Sequence, residues 1–308
     1  MDRFDAMDKF IRVVEAGTIS GAAVRLGIAK SAVSRRLREL EEHLGVELFH
    51  RTTRKLTLTE SGRMYYHQAV RILDDVREAE LATSQAHGQL RGTLKVALPM
   101  SFGLMHLGPA INEFIQQHPQ IEFELDFNDR AVDLIQEGFD LAIRIARLPD
   151  SSLIARRLAT MEAVLCASPA YLERHGTPTR PEDLVRHQCL VYSLIRNYEA
   201  WHFHDADGKL HTAKIHSYIK ATNGEYLRDA AVSGLGISLV PSFIAYRDIE
   251  RGTLVSLLNG FRPPQLEIHA LYPPTRHLSH RVRAFVDFLV QRFAGTPYWD
   301  VCLLDRKG

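Results

Sequence analysis

Residues 18–58 read TISGAAVRLGIAKSAVSRRLRELEEHLGVELFHRTTRKLTL. Within them Val33, Leu37, Leu40 and Leu44 recur at intervals of four, three and four, which makes one apolar stripe on a helix. Ser31, Ser34, Arg35 and Arg38 fall on a different face of that helix. If the stripe is packed on a small core, the Ser/Arg face must turn outward. Arginine can bridge two acceptors on a guanine edge, and serine can bond a base or a phosphate. The preceding segment reads as a short helix with Ser20 as its N-cap, Ala22, Ala23 and Leu26 inward, and Gly27 as its stop. Small residues at two inner positions let the two helices approach closely. Gly45 ends the second helix, Leu48 and Phe49 return to the core, and Arg51, Arg54 and Lys55 follow on a hairpin suited to phosphates. The stretch therefore predicts a winged helix-turn-helix with its second helix in the DNA major groove.

Charge supports this reading. From Arg25 to Leu58 there are eight Lys/Arg against four Asp/Glu, whereas the whole chain has a formal net charge of only +1. A positive field confined to one end suits a modular DNA binder better than a general polyanion binder.

The run AAVRLGIAKSAVSRRLRELEEHLGVELFHRTTRKLTLTESG resembles the N-terminal signature of LysR-type transcriptional regulators, and the length of 308 residues also fits that family. The resemblance continues weakly through the rest of the chain. It departs at Ala29, where the family usually caps the recognition helix with Ser or Thr. An alanine cap costs about 1 kcal/mol relative to serine, unless Ser31 compensates.

Thr59 is the expected N-cap of a long helix in which Tyr65, Ala69, Ile72, Val76, Ala79, Thr83 and Ala86 form a heptad seam. The seam could lie against its own domain or against a second copy. Dimerisation is the reading adopted, since a helix linking two domains has little of its own chain to cover it. A dimer would read two half-sites about one helical turn apart, or a multiple of it. The resemblance implies the same linker helix, with dimers assembled into homotetramers. Gly88 and Gly92 bracket a hinge.

Beyond the hinge Leu94, Val96 and Leu98 alternate as a strand, a helix is expected over 104–117, and IEFELDF at 121–127 is again a strand. A helix VDLIQEG and a strand DLAIRI follow. The chain is expected to leave for a second unit near Cys166, with PEDLVRH helical, CLVY a strand and Asp207-Gly208 turning a hairpin. ATNGEYLRDAAVSG reads as a helix and GISLVP as a buried strand. LEIHALY and HRVRAFVDFLVQRF return to the first unit. Alternating strands and helices predict mostly parallel, covered sheets. The fold class is an α+β multidomain chain. A winged helix-turn-helix spans 1–58, a linker/dimerisation helix and hinge 59–92, and a two-lobed α/β effector domain 93–300. Lobe I takes 93–165 and 266–300; lobe II takes 166–265. The resemblance implies that this domain is similar to periplasmic solute-binding proteins.

Ligands of such sheets sit at the carboxyl ends of the strands. Met100, Ser101 and Phe102 follow the first strand and open a helix that can attract an anion. Asn128 follows another strand, Arg144 and Arg147 close the DLAIRIAR run, and Asn223 begins a helix in the second lobe. These are the candidate contacts of a small organic anion acting as effector. The resemblance supports Ser101 most.

Other chemistries have weaker support in the sequence. His202, His204 and His211 on HFHDADGKLH could bind a metal, but no Cys or carboxylate cluster completes a ligand set. Cys166, Cys189 and Cys302 show no CxxC spacing and suit a reducing cytosol without structural disulfides; a Cys166–Cys189 redox switch is the alternative. There is no GxSxG, Walker loop or HExxH, and Gly234-Leu235-Gly236 precedes a strand instead of following one. No cofactor is expected. The further alternative is a small-molecule-binding α/β protein or enzyme with an incidental helical N-terminal domain. MDRFDAMDKF is charged and unlike a signal peptide, and no run of 18 apolar residues occurs, so a cytoplasmic protein outside the membrane is expected. The apolar residues of the end, TPYWDVCLLDRKG, are expected to pack on a sheet edge.

Overall fold

The computed structural model describes residues 2–51, 56–83, 90–146, 153–195, 199–274 and 278–301. The head is built from helices α1 (Arg3–Ala16), α2 (Ile19–Leu26) and α3 (Lys30–Leu44), strands β1 (Phe49–Arg51) and β2 (Leu56–Leu58), and the first turns of α4 (Glu60–Thr83). Its core gathers Phe10 and Val13 of α1, Ala22 and Ala23 of α2, and Val33, Leu37 and Leu40 of α3, with Leu48, Phe49 and Ala69. Each Val, Leu or Phe side chain taken from water contributes about 1.5–3 kcal/mol before entropy is counted.

The helix ends follow local chemistry. Gly27 and Gly45 take left-handed φ of 67° and 70°, and their amides close the last turns of α2 and α3. The cap of α2 differs from expectation: Thr18 accepts from the Gly21 amide at 3.0 Å, and Ser20 lies inside the first turn. The helix starts earlier because Ile19 packs on the head core as its first residue. Ala29 does cap α3, with no side-chain hydrogen bond. Ala29→Ser should therefore raise head stability by about 1 kcal/mol, read as a higher urea midpoint. An unchanged midpoint would show that the free amides are already satisfied by water.

Thr59 caps α4 as expected, accepting from Gly62 N at 2.9 Å and donating to Glu47 O at 2.7 Å. The seam of α4 is divided. Tyr65 and Ala69 pack into the head, Tyr65 lying 5.4 Å from the Phe10 ring, while Ile72 is exposed and Val76 half-buried. The start of the seam is thus spent on α1. The side chains of Ala79 and Thr83, and all of Ala86 and Gly88, lie outside the described residues; Gly92 begins the next strand.

Lobe I holds β3 (Gly92–Leu98), β4 (Ile121–Phe127), β5 (Leu141–Ala146), β6 (Ile154–Met161) and β14 (Leu266–Tyr272), in the order β4-β3-β5-β14-β6. Lobe II holds β7 (Ala163–Ala167), β8 (Gln188–Tyr192), β11 (His216–Ala221), β12 (Ile237–Pro241) and β13 (Val255–Ser256), in the order β11-β8-β12-β7-β13. Both sheets are mixed, not mostly parallel. β3 is parallel to β4 and β5, and β8 to β11 and β12, but β14, β6, β7 and β13 pair antiparallel. The antiparallel strands flank the two crossings between lobes, where no helical crossover reverses the chain. The first crossing falls at Glu162, ahead of Cys166, which lies within β7. β9 (Ala200–His204) and β10 (Leu210–Lys214) form the expected hairpin.

Two helical expectations change. Helix starts at α5 (Met100–Phe102), passes through a π-helical turn at Gly103–Leu107, and continues as α6 (Gly108–Gln117), so it opens before Leu104. VDLIQEG is not a helix but a turn, because Asp133 caps the Ile135 and Gln136 amides and Arg130 draws the Glu137 carboxylate away. The remaining helices are α7 (Pro169–His175), α8 (Gly224–Val232), α9 (Ser242–Glu250) and α10 (His280–Arg292). Phe243, Ile244 and Tyr246 of α9 join the core of lobe I, tying the lobes together. The described part of the tail, through Val301, packs into an aromatic core instead of on a sheet edge, and the rest lies outside the described residues. Trp299 is fully buried against Phe102, His106, Phe243 and Phe293.

Candidate nucleic-acid interface and interlobe site

With Val33, Leu37 and Leu40 turned into the head, Ser31, Arg35 and Arg38 stand exposed on α3 and Ser34 is half-buried. Arg35 is 68% exposed and, among the described residues, pairs with Glu39 at 3.7 Å. Such an exposed pair is worth about 0–1 kcal/mol, so the guanidinium is readily released to another acceptor. Arg36 has a different job, which sequence reasoning did not assign. It bonds Glu39 at 2.8 Å and Asp5 at 3.4 Å, tying α3 to α1. The Glu39 carboxyl is held below its usual range by that hydrogen bond. Glu41 accepts from the Leu48 and Phe49 amides at 2.9 and 3.4 Å and so clamps the wing to α3. In the wing, Phe49 pairs with Leu58 and Arg51 with Leu56. Arg54, Lys55 and the Arg51 side chain lie outside the described residues.

Between the lobes, Ser101 Oγ donates to Glu225 Oε2, which also receives Asn223 Nδ2 at 2.9 Å. Asn223 Oδ1 caps α8 by accepting from Tyr226 N at 2.8 Å. Asp129 accepts from Met100 N at 3.1 Å and from the Tyr192 hydroxyl at 3.3 Å, a second contact between lobes. Burial, then the Asp129 charge, pushes the Tyr192 phenol up. Arg144 donates to the carbonyls of Ile143 and Arg130, each at 3.1 Å, and of Asn128 at 3.4 Å. Desolvation lowers the Arg144 pKa, and Asp129 is the largest influence opposing it. The amide group of Asn128 is enclosed and has no hydrogen-bond partner among the described residues.

The structure therefore brings together Met100, Ser101, Asn128, Arg144 and Asn223, and adds Asp129, Tyr192 and Glu225. Phe102 belongs elsewhere, fully buried in the aromatic core. Successive helical residues point about 100° apart, so Ser101 and Phe102 cannot share a direction. Arg147 lies outside the described residues.

The metal and redox alternatives fare differently from this site. His202 bonds Thr212, and His211 bonds Asp205 at 2.8 Å and Glu182 at 3.3 Å. No group of three side chains suited to a metal occurs among the described residues. Cys166 and Cys189 flank β12 on opposite sides, in different core clusters, roughly two strand spacings (about 9.6 Å) apart. A disulfide needs Cα atoms within about 7 Å. Burial also pushes both thiols up to about 12, so neither is a reactive thiolate. Cys302 lies outside the described residues.

A head that offers an open arginine face, carried by a long helix on a two-lobed domain, defines a DNA-binding regulator with an effector domain. Comparison with known proteins specifies the family. Residues 4–63 match the bacterial regulatory helix-turn-helix protein, lysR family, and residues 87–294 match the LysR substrate binding domain, so the tail carrying Trp299 lies beyond the match. The chain belongs to the LysR family of transcriptional regulators and is not an enzyme. It is 38% identical over 282 residues to an uncharacterized HTH-type transcriptional regulator of Haemophilus influenzae, covering 92% of this chain and 98% of the relative. It is 38% identical over 283 residues to the regulator CrgA of Neisseria meningitidis, covering 92% and 94%. The solved CrgA structure matches with a TM-score of 0.61 at 37% identity, over 94% of this chain and 99% of that one. The Vibrio cholerae virulence activator AphB matches with a TM-score of 0.60 at 29% identity, over 94% and 99%. No helix among the described residues is long and apolar enough to cross a membrane.

Proposed function

We propose that this chain binds paired operator half-sites as a cytoplasmic homotetramer assembled from two dimers, and that a small organic effector between its lobes alters that binding. Arg35 and Arg38 face bases, with Ser31 and Ser34 beside them; Arg51, Arg54 and Lys55 hold phosphates. One observation carries the DNA assignment: α3 builds the head core with one face and leaves Ser31, Arg35 and Arg38 in solvent on the other. Met64 and Ile72, exposed on α4, supply the apolar surface for a second copy.

The effector carries an acidic group. Arg144 supports this, because it is desolvated and its hydrogen bonds go to carbonyl oxygens, leaving its charge without a directly bonded carboxylate among the described residues. Arg147, next in sequence after the strand, is assigned to the same acidic group. The ligand also carries a hydrogen-bond donor, which takes the place of Ser101 on Glu225. Effector can move the lobes only through different affinity for the open and closed forms.

A gel shift with DNA from immediately upstream of the gene, at several salt concentrations, tests the assignment. Arg35→Ala should cost about 1–3 kcal/mol of operator preference, roughly 5- to 150-fold. Arg51→Ala should weaken operator and random DNA about equally and flatten the salt dependence. Identical behaviour of the two variants would overturn the division of roles.

A further inference from the structure

We propose that the loop over 129–139 is the mechanical link by which the linker helix senses the relative position of the lobes. The proposal rests on the reading of the interlobe seam as the effector site. At the seam, Asp129 holds the Met100 amide of lobe I and the Tyr192 hydroxyl of lobe II together. Arg144 grips the same loop through the carbonyls of Asn128 and Arg130. Any change in lobe angle therefore pulls on this end of the loop.

The loop is braced internally, so it moves as a unit. Arg130 forks onto both oxygens of Glu137 at 2.8 and 2.5 Å. Glu137 Oε1 accepts from the Asp133 amide at 3.1 Å, and the Glu137 carbonyl accepts from Lys95 Nζ at 3.1 Å. Leu134 and Phe139 anchor it in a small core of their own with Ala97 and Ala142. Two carboxylates and two cations thus do what a helix would otherwise do, giving a stiff turn from a short segment.

At its far end the loop meets the linker helix. Gly138 has φ +71°, and a Cβ there would lie 2.5 Å from Nδ1 of His67 on α4. The His67 side chain of the helix packs directly on the loop backbone at Gly138, with no side chain of the loop between them. The His67 ring lies 5.5 Å from Tyr66, whose ring lies 6.4 Å from Phe10 in the head core. A continuous run of contacts leads from Tyr192 through Asp129, the Arg130–Glu137 fork, Gly138 and His67 to the head. Packed elements of this kind shift between discrete arrangements instead of deforming smoothly.

Contiguity alone does not prove coupling. The test is hydrogen–deuterium exchange of the linker segment 60–72 in the full-length protein, without DNA or effector. Tyr192→Phe removes one hydroxyl, remote from α4, and should speed exchange there by about twofold or more, the low end for residues sharing one network. Arg130→Gln should do the same, and the double variant should exchange no faster than the faster single variant. Exchange in α10 should stay unchanged in all three; a variant that loosens α10 is generally destabilised, and the remaining single variant then decides. Unchanged exchange at 60–72 in that variant overturns the proposal, as do additive effects of the two substitutions. Because no DNA is present, failure here is distinct from failure of the wild-type protein to bind its upstream fragment.

Discussion

Trp299→Ala should destabilise the effector domain by about 3–5 kcal/mol, the cost of deleting a large buried aromatic side chain. Trp299 is fully buried although it lies close to the end of the chain. Its ring is 4.6 Å from His106, 5.5 Å from Phe102 and 6.0 Å from Phe293, centroid to centroid, and 6.4 Å from Phe243. Phe102 and His106 belong to lobe I, whereas Phe243 follows strand β12 of lobe II, so one indole closes the joint between them. The neighbouring Tyr298 hydroxyl bonds His106 Nδ1, and the Phe243 carbonyl faces His106 Nε2 at 3.3 Å. Desolvation holds His106 down at about 4. Removing the indole admits water, so the His106 pKa should rise toward its ordinary value as stability falls. Urea unfolding followed by circular dichroism measures the first effect and an NMR titration of His106 the second. Trp299→Phe, which keeps much of the packing, should cost less than half as much. A loss under about 1 kcal/mol for the alanine variant would mean the segment is only laid on the surface.

The recognition helix was legible because one periodicity decides two faces at once. Burying Val33, Leu37 and Leu40 leaves Arg35 and Arg38 no inward direction, and Gly27 and Gly45 mark the ends in local backbone chemistry. What escaped depends on partners distant in sequence. The heptad spacing of α4 shows a seam but not what lies on it, and α1 takes Tyr65 and Ala69. VDLIQEG has the composition of a helix, yet Arg130 from outside the segment captures Glu137. Ser101 and Phe102 were grouped by their place after a strand, whereas helix rotation sends one toward Glu225 and the other into the core. Trp299 carries no local pattern, since its pocket exists only once both lobes are folded. The candidate interlobe site is legible as a region, while Asp129, Tyr192 and Glu225 had to be found in three dimensions.

Gly62→Ala should separate the DNA-binding head from the linker helix, with a cost of about 3 kcal/mol or more, above the usual range for overpacking. Gly62 lies in the first turn of α4 with no room for a side chain. A Cβ there would stand 2.0 Å from the Leu48 carbonyl oxygen, and backbone cannot rotate aside as a flexible side chain can. That carbonyl accepts from the Thr59 amide at 3.0 Å, while Thr59 Oγ1 donates to Glu47 O and accepts from Gly62 N. To admit one methyl group the helix must move off the segment before β1, and the Thr59 bonds to that segment are lost together. Leu48 is fully buried and its amide is clamped by Glu41 of α3, so the displacement reaches the recognition helix. The variant should therefore lose operator affinity without any change to an arginine, and its head should unfold at lower urea than that of the parent chain. Gly62→Ser should behave alike, since the obstacle is Cβ and not polarity. A Gly62→Ala protein that kept full operator affinity and an unshifted head transition would show that α4 and the wing are not in rigid contact. The arginine face on α3 would then have to be held in place by α1 and α2.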